Sequence, residues 1–374
     1  MKRIYLDHAA TSHPLPEGVK EAFCDAACLG NPGRSGHALS MKAANIVYET
    51  REKISGMFGV MPDKVIFTSG ATAALNQAIF GCYNGGSVVM DIFAHNAVLR
   101  PLHALSQQTG AQIRCFSPVP NNPVETVKRF ENCLDRNTRM AVVNGSSNIC
   151  SAILPISLLG DICRRRGILL IVDGAQCAGK IPCNLEQDGV DIYCVPGHKG
   201  LQGVMGCGAM LLSPSCKTLP RPYLFGGSGS FAREKNMPEA LPDHLEAGTL
   251  PLPAIAALGA GVAYVQKVGI EEISYREEQT GLHAAEGLSV IKGITIYAYP
   301  GATFVFSHKN ISCEDIARQL DAYGICVRSG LHCAPLSHEH LGTPRDGAVR
   351  VSTGVFTNHR DIDSFLCAVT KIVS

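Results

Sequence analysis

A lysine stands at the end of a short apolar run, Val190-Asp191-Ile192-Tyr193-Cys194-Val195-Pro196-Gly197-His198-Lys199-Gly200. The run reads as a strand, and its glycine turn delivers His198 and then Lys199. A lysine amine at such a turn forms a Schiff base when its pKa is lowered and a carbonyl compound is held beside it. Alone the pattern is weak, because solvated lysines after glycine turns are far commoner than catalytic ones. Segments upstream and downstream give it weight.

Thr68-Ser69-Gly70-Ala71-Thr72-Ala73-Ala74-Leu75-Asn76 follows a predicted strand and opens a predicted helix. Small residues let the backbone approach an anion, and free N–H groups with the helix dipole favour negative charge there. A plain strand–turn–helix with a capping hydroxyl fits the same residues equally well. The segment lacks the Gly-Lys-Ser/Thr of a Walker loop. Ile171-Val172-Asp173-Gly174-Ala175-Gln176 sets an aspartate at the carboxyl end of an apolar strand, the edge where α/β sheets hold ligands. An ionised aspartate there is costly unless a cation faces it. The protonated pyridine nitrogen of pyridoxal phosphate (PLP) is such a cation; a helix-capping aspartate is the plain alternative.

Arg328-Ser329-Gly330-Leu331-His332-Cys333-Ala334-Pro335 sets one cysteine in a segment bounded by glycine and proline, beside Arg328 and His332. Cationic neighbours favour a thiolate, the nucleophilic form of cysteine. Arg350, in Ala348-Val349-Arg350-Val351-Ser352, is an arginine in an apolar strand and requires a buried anion. A ligand carboxylate or an internal Asp or Glu answers that need. His332, Cys333, His338 and His340 match no tight zinc spacing, so no metal is expected.

The elements that position these groups are legible as a rhythm. From Val65 onward, strands are predicted at 65–68, 87–90, 112–115, 140–143 and 169–172, and helices at 72–80, 98–108 and 156–166. This alternation predicts an α/β fold with a largely parallel sheet covered on both faces. A Pro- and Gly-rich stretch over 219–253 breaks it. Helical patterns at 254–268 and 271–288 then lead into a smaller α+β unit. The expected division is a large domain over 1–253 and a small domain over 254–374 that carries the cysteine loop. Residues 1–31 read as loop-like and free to pack on either.

Bulk properties exclude several function classes. A length of 374 residues accommodates two domains with a large core. The net charge of +1 gives no field for nucleic acid. No apolar run reaches the roughly 18 residues a membrane span needs. Sixteen cysteines without a C-x-x-C pair, and no apolar leader after Met1, predict core thiols in a reducing, cytoplasmic setting.

Phosphate turn, acidic partner and lysine occur in chain order, each at a strand end. With them the chain resembles the class V aminotransferase family of PLP enzymes, fold type I, in its cysteine desulfurase and selenocysteine lyase branch. The resemblance runs from Tyr5-Leu6-Asp7-His8-Ala9-Ala10 to Arg350-Val351-Ser352. It implies a mostly parallel seven-stranded sheet with a smaller α+β domain, PLP as cofactor, and a homodimer. It implies that Lys199 carries PLP, that Asp173 pairs with the ring nitrogen, and that Gln176 and Asn148 bond near the phenolic oxygen. His95 would stack on the ring and shuttle protons. Ala71, Thr72 and His198 would hold the phosphate, and Thr249 would reach the phosphate of the neighbouring subunit. Arg350 would take the substrate α-carboxylate, with Asn148 and Arg328 beside it.

The 328–335 segment is similar to the cysteine loop of group II cysteine desulfurases. That implies Cys333 as the residue that takes sulfur from L-cysteine, releasing L-alanine. The resulting persulfide would pass to a sulfur-acceptor protein, in service of iron–sulfur cluster assembly. L-selenocysteine suits the same residues, whereas transamination or racemisation would leave Cys333 idle. A non-catalytic PLP-fold scaffold is the rival from a different class. Three positions depart from the pattern: Pro196 replaces a Ser/Thr hydroxyl, Pro251 replaces an Asn, and Ala94 replaces a Glu before His95.

Overall fold

Apolar runs and amphipathic helices alternate along the chain, and the computed structural model describes residues 3–33, 36–297 and 301–374. Strand β1 (Ile4–Tyr5) precedes helices α1 (Val19–Ala27) and α2 (Ala38–Phe58). The alternating region holds β2 (Val65–Thr68), α3 (Ala71–Cys82), β3 (Ser87–Asp91), α4 (Asn96–Thr109), β4 (Ile113–Phe116) and α5 (Pro123–Cys133). It continues through β5 (Thr138–Asn144), α6 (Ile156–Arg166), β6 (Leu169–Asp173), β7 (Ile192–Pro196) and β8 (Gly208–Leu212). After a long irregular stretch come α7 (Leu252–Val268), α8 (Ile270–Ser289), β9 (Ile294–Tyr297), β10 (Thr303–His308) and α9 (Cys313–Ala322). The chain ends with β11 (Ile325–Cys326), β12 (Arg328–Gly330), α10 (Pro335–Leu341), β13 (Ala348–Ser352) and α11 (His359–Val373).

Seven strands form the main sheet in the order β2-β8-β7-β6-β5-β3-β4. Strand β8 is antiparallel to both neighbours, and the other pairings are parallel. Strands buried on both faces read as continuous apolar runs, and the alternation of side chains explains how. Leu170 and Val172 of β6 enter one core with α2, α6 and α7, while Ile171 enters the other with α3 and α4. Each such side chain contributes about 1.5–3 kcal/mol by leaving water. The carboxyl ends of β2, β3, β5, β6 and β7 share one edge, as the right-handed crossovers of an α/β sheet require.

A four-stranded antiparallel sheet, β12-β13-β10-β9, packs on α8, α9 and α11 around Phe304, Phe306, Val351 and Phe365. Strand β1 pairs in parallel with β11, and Leu6 joins this core. The amino-terminal segment is not loop-like throughout, as the sequence reading had it. Helix α1 lies within it and packs on α7. Its first turn follows Gly18 at φ 85° with no capping side chain, so the usual start signal is missing. Helix α7, which follows the break in rhythm, joins the sheet core through Leu252, Ile255, Leu258 and Val262. Among the described residues no single helix is long and apolar enough to cross a membrane.

Candidate active site

A cavity of about 390 Å³ opens at the carboxyl edge of the main sheet. Strand β7 ends there, and its turn carries His198 and Lys199 into the wall. Residues 9–12 run across this turn. Ser12 donates its backbone N–H to the His198 carbonyl at 2.8 Å and its hydroxyl to the Lys199 carbonyl at 2.7 Å. Desolvation pushes the Lys199 amine down to about 8; Asp173 pulls it up, and Arg350 pushes it further down. Burial and the Lys199 charge push His198 down to about 4.

Strand β6 ends in Asp173, whose Oδ1 accepts the Ala175 N–H at 2.9 Å. Burial raises its pKa, opposed by that N–H and by Lys199. Gln176 lines the same wall and donates to the Ala9 carbonyl at 2.9 Å. Beyond β5, Asn148 donates Nδ2–H to the His332 carbonyl at 2.8 Å, while its buried Oδ1 has no partner. Beyond β3, His95 caps α4, accepting the Ala97 N–H on Nδ1 at 3.0 Å. Burial first, and then the charges of Lys199 and Arg350, push His95 down to about 4. The ring is therefore neutral, with its proton on Nε2.

Ala71 and Thr72 open α3 onto the cavity behind Gly70, a position with no capping side chain. Gly70 sits at φ 146°, where a side chain is strained. Gly208 of β8 packs against it, and a Cβ at Gly208 would lie 2.7 Å from the Gly70 Cα. The uncapped N–H groups of α3 thus face an open cavity, an arrangement that suits an anion. Pro196 supplies no hydroxyl to this wall, but Ser69 lines it beside Thr72.

The cysteine loop closes the opposite side. Cys333 is exposed and lines the cavity with His332, Arg328 and Arg350. Both His332 (φ 49°) and Cys333 (φ 55°) adopt the left-handed conformation. The Asn96 N–H donates to the Cys333 carbonyl at 2.7 Å. His332 was expected to be a cationic neighbour. Instead burial, aided by Arg350 and His338, pushes it down to about 3, so it is neutral.

Arg350 is 3% exposed. Its Nη2 donates to Asp7 Oδ1 at 2.7 Å and its Nη1 to the Asn148 carbonyl at 3.1 Å. The resemblance assigns Arg350 to a substrate carboxylate; the structure adds an internal partner, Asp7, as a built-in counter-ion. Arg328 also pairs with Asp7, at 3.0 Å. Arg350 lines the cavity, and its buried Nε has no hydrogen-bond partner. Thr249 is exposed and stands outside the cavity walls, as does the glycine-rich turn at 226–229. His340 turns away from His332 toward Ser117 and Phe93.

Asp7, Ala9, Ala10 and Ser69 belong to the site or its support, yet sequence reasoning assigned them no role. Ala9 and Ala10 line the cavity, and their place in the Tyr5–Ala10 motif was the available signal.

A strand-end lysine, a strand-end aspartate and an uncapped helix around one cavity invite comparison with known families. The model of the aminotransferase class-V family matches residues 4–365. The chain belongs to this family. Within it, a probable cysteine desulfurase of Methanothermobacter thermautotrophicus is 30% identical over 375 residues, spanning 96% of this chain and 92% of its own. A cysteine desulfurase of Haloferax volcanii is 28% identical over 98% of this chain and 88% of its own. The apo structure of a cysteine desulfurase from Thermococcus onnurineus superposes with a TM-score of 0.89 at 25% identity, covering 99% of this chain and 94% of that one.

Proposed function

We propose that this chain is a PLP-dependent cysteine desulfurase that converts L-cysteine to L-alanine and leaves the sulfur on Cys333 as a persulfide. The observation that carries the reading is that Lys199 and Cys333 line one cavity. The donor set fits PLP by its chemistry. The open α3 terminus suits a phosphate, Asp173 in its desolvated place favours a cation, and Lys199 has a lowered amine pKa. Buried His198 Nδ1 and Asn148 Oδ1 also lack partners.

Ala71, Thr72 and His198 would hold the phosphate, Asp173 the ring nitrogen, and Gln176 with Asn148 the phenolic oxygen. When bound, PLP supplies an electron sink for charge developing at the substrate α-carbon. Arg350 and Arg328 receive the substrate carboxylate, with Asp7 fixing both guanidinium groups. Lys199, partly neutral near physiological pH, removes a proton from the α-carbon and returns one. His95 presents Nε2–H to the cavity. The Cys333 thiolate forms an S–S bond to the substrate sulfur as the C–S bond breaks; the electron pair goes to carbon, where protonation yields alanine.

Thr249 serves the cavity of a second copy. Its exposure on its own chain supports this, as does the run of exposed Tyr223, Leu224, Phe225 and Phe231 in the preceding stretch. Contiguous exposed apolar residues of this kind mark interaction surfaces. A sulfur-acceptor protein reaches the exposed Cys333. All sixteen cysteines are free, which supports a reducing cytoplasmic setting.

Purified holoprotein with L-cysteine and a thiol reductant should release alanine and sulfide in equal amounts. Cys333→Ser should abolish turnover and leave the cofactor absorbance unchanged. Absence of alanine overturns the proposal, and competition with L-selenocysteine ranks the two substrates.

A further inference from the structure

Two consecutive non-glycine residues in the left-handed conformation, His332 and Cys333, are an uncommon backbone arrangement. Such strain persists only where surrounding contacts over-determine it. Among the described residues, three groups from outside β12 hold this pair. Asn148 holds the His332 carbonyl and Asn96 the Cys333 carbonyl, at 2.8 and 2.7 Å. The third is His338, whose Nε2 lies 3.1 Å from His332 Nδ1, the two rings stacked at 5.3 Å.

His338 is 2% exposed, in α10 directly after the cysteine loop. Its Nδ1 lies 2.8 Å from the Thr343 hydroxyl, and His332 Nε2 lies 3.4 Å from the Arg328 carbonyl. Burial, with Arg350 nearby, pushes His338 down to about 4, and His332 is lower still, so both rings are neutral. A carbonyl only accepts, which fixes the direction of the whole chain. Thr343 O–H donates to His338 Nδ1 at 2.8 Å rather than to the more distant His338 carbonyl at 3.3 Å, His338 Nε2–H donates to His332 Nδ1, and His332 Nε2–H donates to Arg328 O. The chain ties β12, which leads into the cysteine loop, to Thr343 just past α10.

We infer that His338 is a positioning residue for sulfur transfer: through the His332 ring it holds the strained backbone that presents the Cys333 thiol to the cavity. Among the described residues nothing else anchors the His332 side chain at its Nδ1. Without the donor from His338 the strained pair relaxes, and Cys333 moves relative to the substrate sulfur. The inference rests on Cys333 as the sulfur-accepting nucleophile.

The test compares full-length holoenzymes carrying His338→Phe, which keeps the ring and loses the donor, and His338→Gln, whose amide nitrogen reaches the place of Nε2. A misplacement of about 1 Å costs up to about 100-fold in rate. His338→Phe should therefore lower kcat for alanine formation by about 10-fold or more, with KM for L-cysteine within about 2-fold. His338→Gln should restore most of kcat. Equal losses in the two variants, or no loss in either, overturn the inference. If His338→Phe does not fold, Thr343→Val decides, with an expected kcat loss of about 3-fold from one missing hydrogen bond; wild-type kcat there overturns the inference. Cys333→Ser is assayed alongside. Activity surviving in it sinks the nucleophile reading, whereas its loss beside an unaffected His338→Phe sinks the positioning role alone.

Discussion

Asp7 accepts from Arg350 Nη2 at 2.7 Å, although 343 positions of chain separate the two. The other oxygen of Asp7 takes Arg328 at 3.0 Å, and Arg328 lies directly across from Arg350 in the β12–β13 pairing. Two guanidinium groups held that close repel one another, and Asp7 offsets the repulsion while leaving one net positive charge for a substrate carboxylate.

Asp7→Asn keeps the shape and removes the charge. Breaking a buried ion pair from one side costs about 3–5 kcal/mol, and the side chains of Arg350 and Asp7 are 3% and 11% exposed. The variant should therefore unfold at a lower urea concentration than the native protein. An unchanged midpoint would show that Arg350 does not depend on the Asp7 charge.

The Lys199 amine, pushed down to about 8 chiefly by desolvation, should acylate at unusually low pH. Only the neutral amine reacts, so its rate rises as pH climbs through the pKa. In cofactor-free protein treated with acetic anhydride, the Lys199 peptide should reach half-maximal labelling near pH 8. Solvated lysines reach theirs near pH 10.4. Coincident midpoints in the peptide map would mean that the cavity wall does not desolvate the amine.

Much of this site was legible because its parts are local. Strands β2, β5, β6 and β7 are apolar runs that periodicity finds, and Asp173 and Lys199 lie at or just past their ends. Helix α6 begins and ends where the pattern placed it. What stayed hidden depends on distance or on conformation. The Asp7–Arg350 pair joins the two ends of the chain, and no local pattern announces it. The His332–His338 contact spans six residues and requires two left-handed residues in succession, a spacing no helix supplies. Strand β8, Gly208–Leu212, follows a glycine-rich return and is fixed by pairing with β7 and β2 rather than by alternation. Helix α1 fully buries only Val19 and Ala26, and it is held by α7.

Gly208→Ala should loosen the phosphate turn. The added Cβ would lie 2.5 Å from the Val195 carbonyl oxygen and 2.7 Å from the Gly70 Cα. Both are backbone atoms, so the turn itself must shift. Overpacking of this kind costs about 1–3 kcal/mol. Equilibrium dialysis with PLP should show a Kd raised by about 10-fold, which corresponds to about 1.4 kcal/mol. Native affinity would mean that the α3 terminus tolerates displacement.

Glu277 of α8 and Lys180, in the segment after β6, meet at 2.6 Å with side chains 2% and 13% exposed. Burial raises the Glu277 pKa, and Lys180 opposes the rise. Lys180→Met removes that opposition, so the lone carboxyl shifts further up and binds a proton over a wider pH range. A carboxyl whose folded pKa lies above its unfolded value holds more protons when folded. Its contribution to stability is therefore lost as pH rises through the folded pKa. The deficit of Lys180→Met relative to the native protein should thus be larger at pH 8, where an uncompensated buried charge costs about 3–5 kcal/mol, than at pH 5.5. Urea midpoints at the two pH values measure it. Adding Glu277→Gln should recover most of the loss at pH 8 and little at pH 5.5. A deficit that is the same at both pH values would mean that Lys180 stabilises this junction through its aliphatic stem rather than its charge.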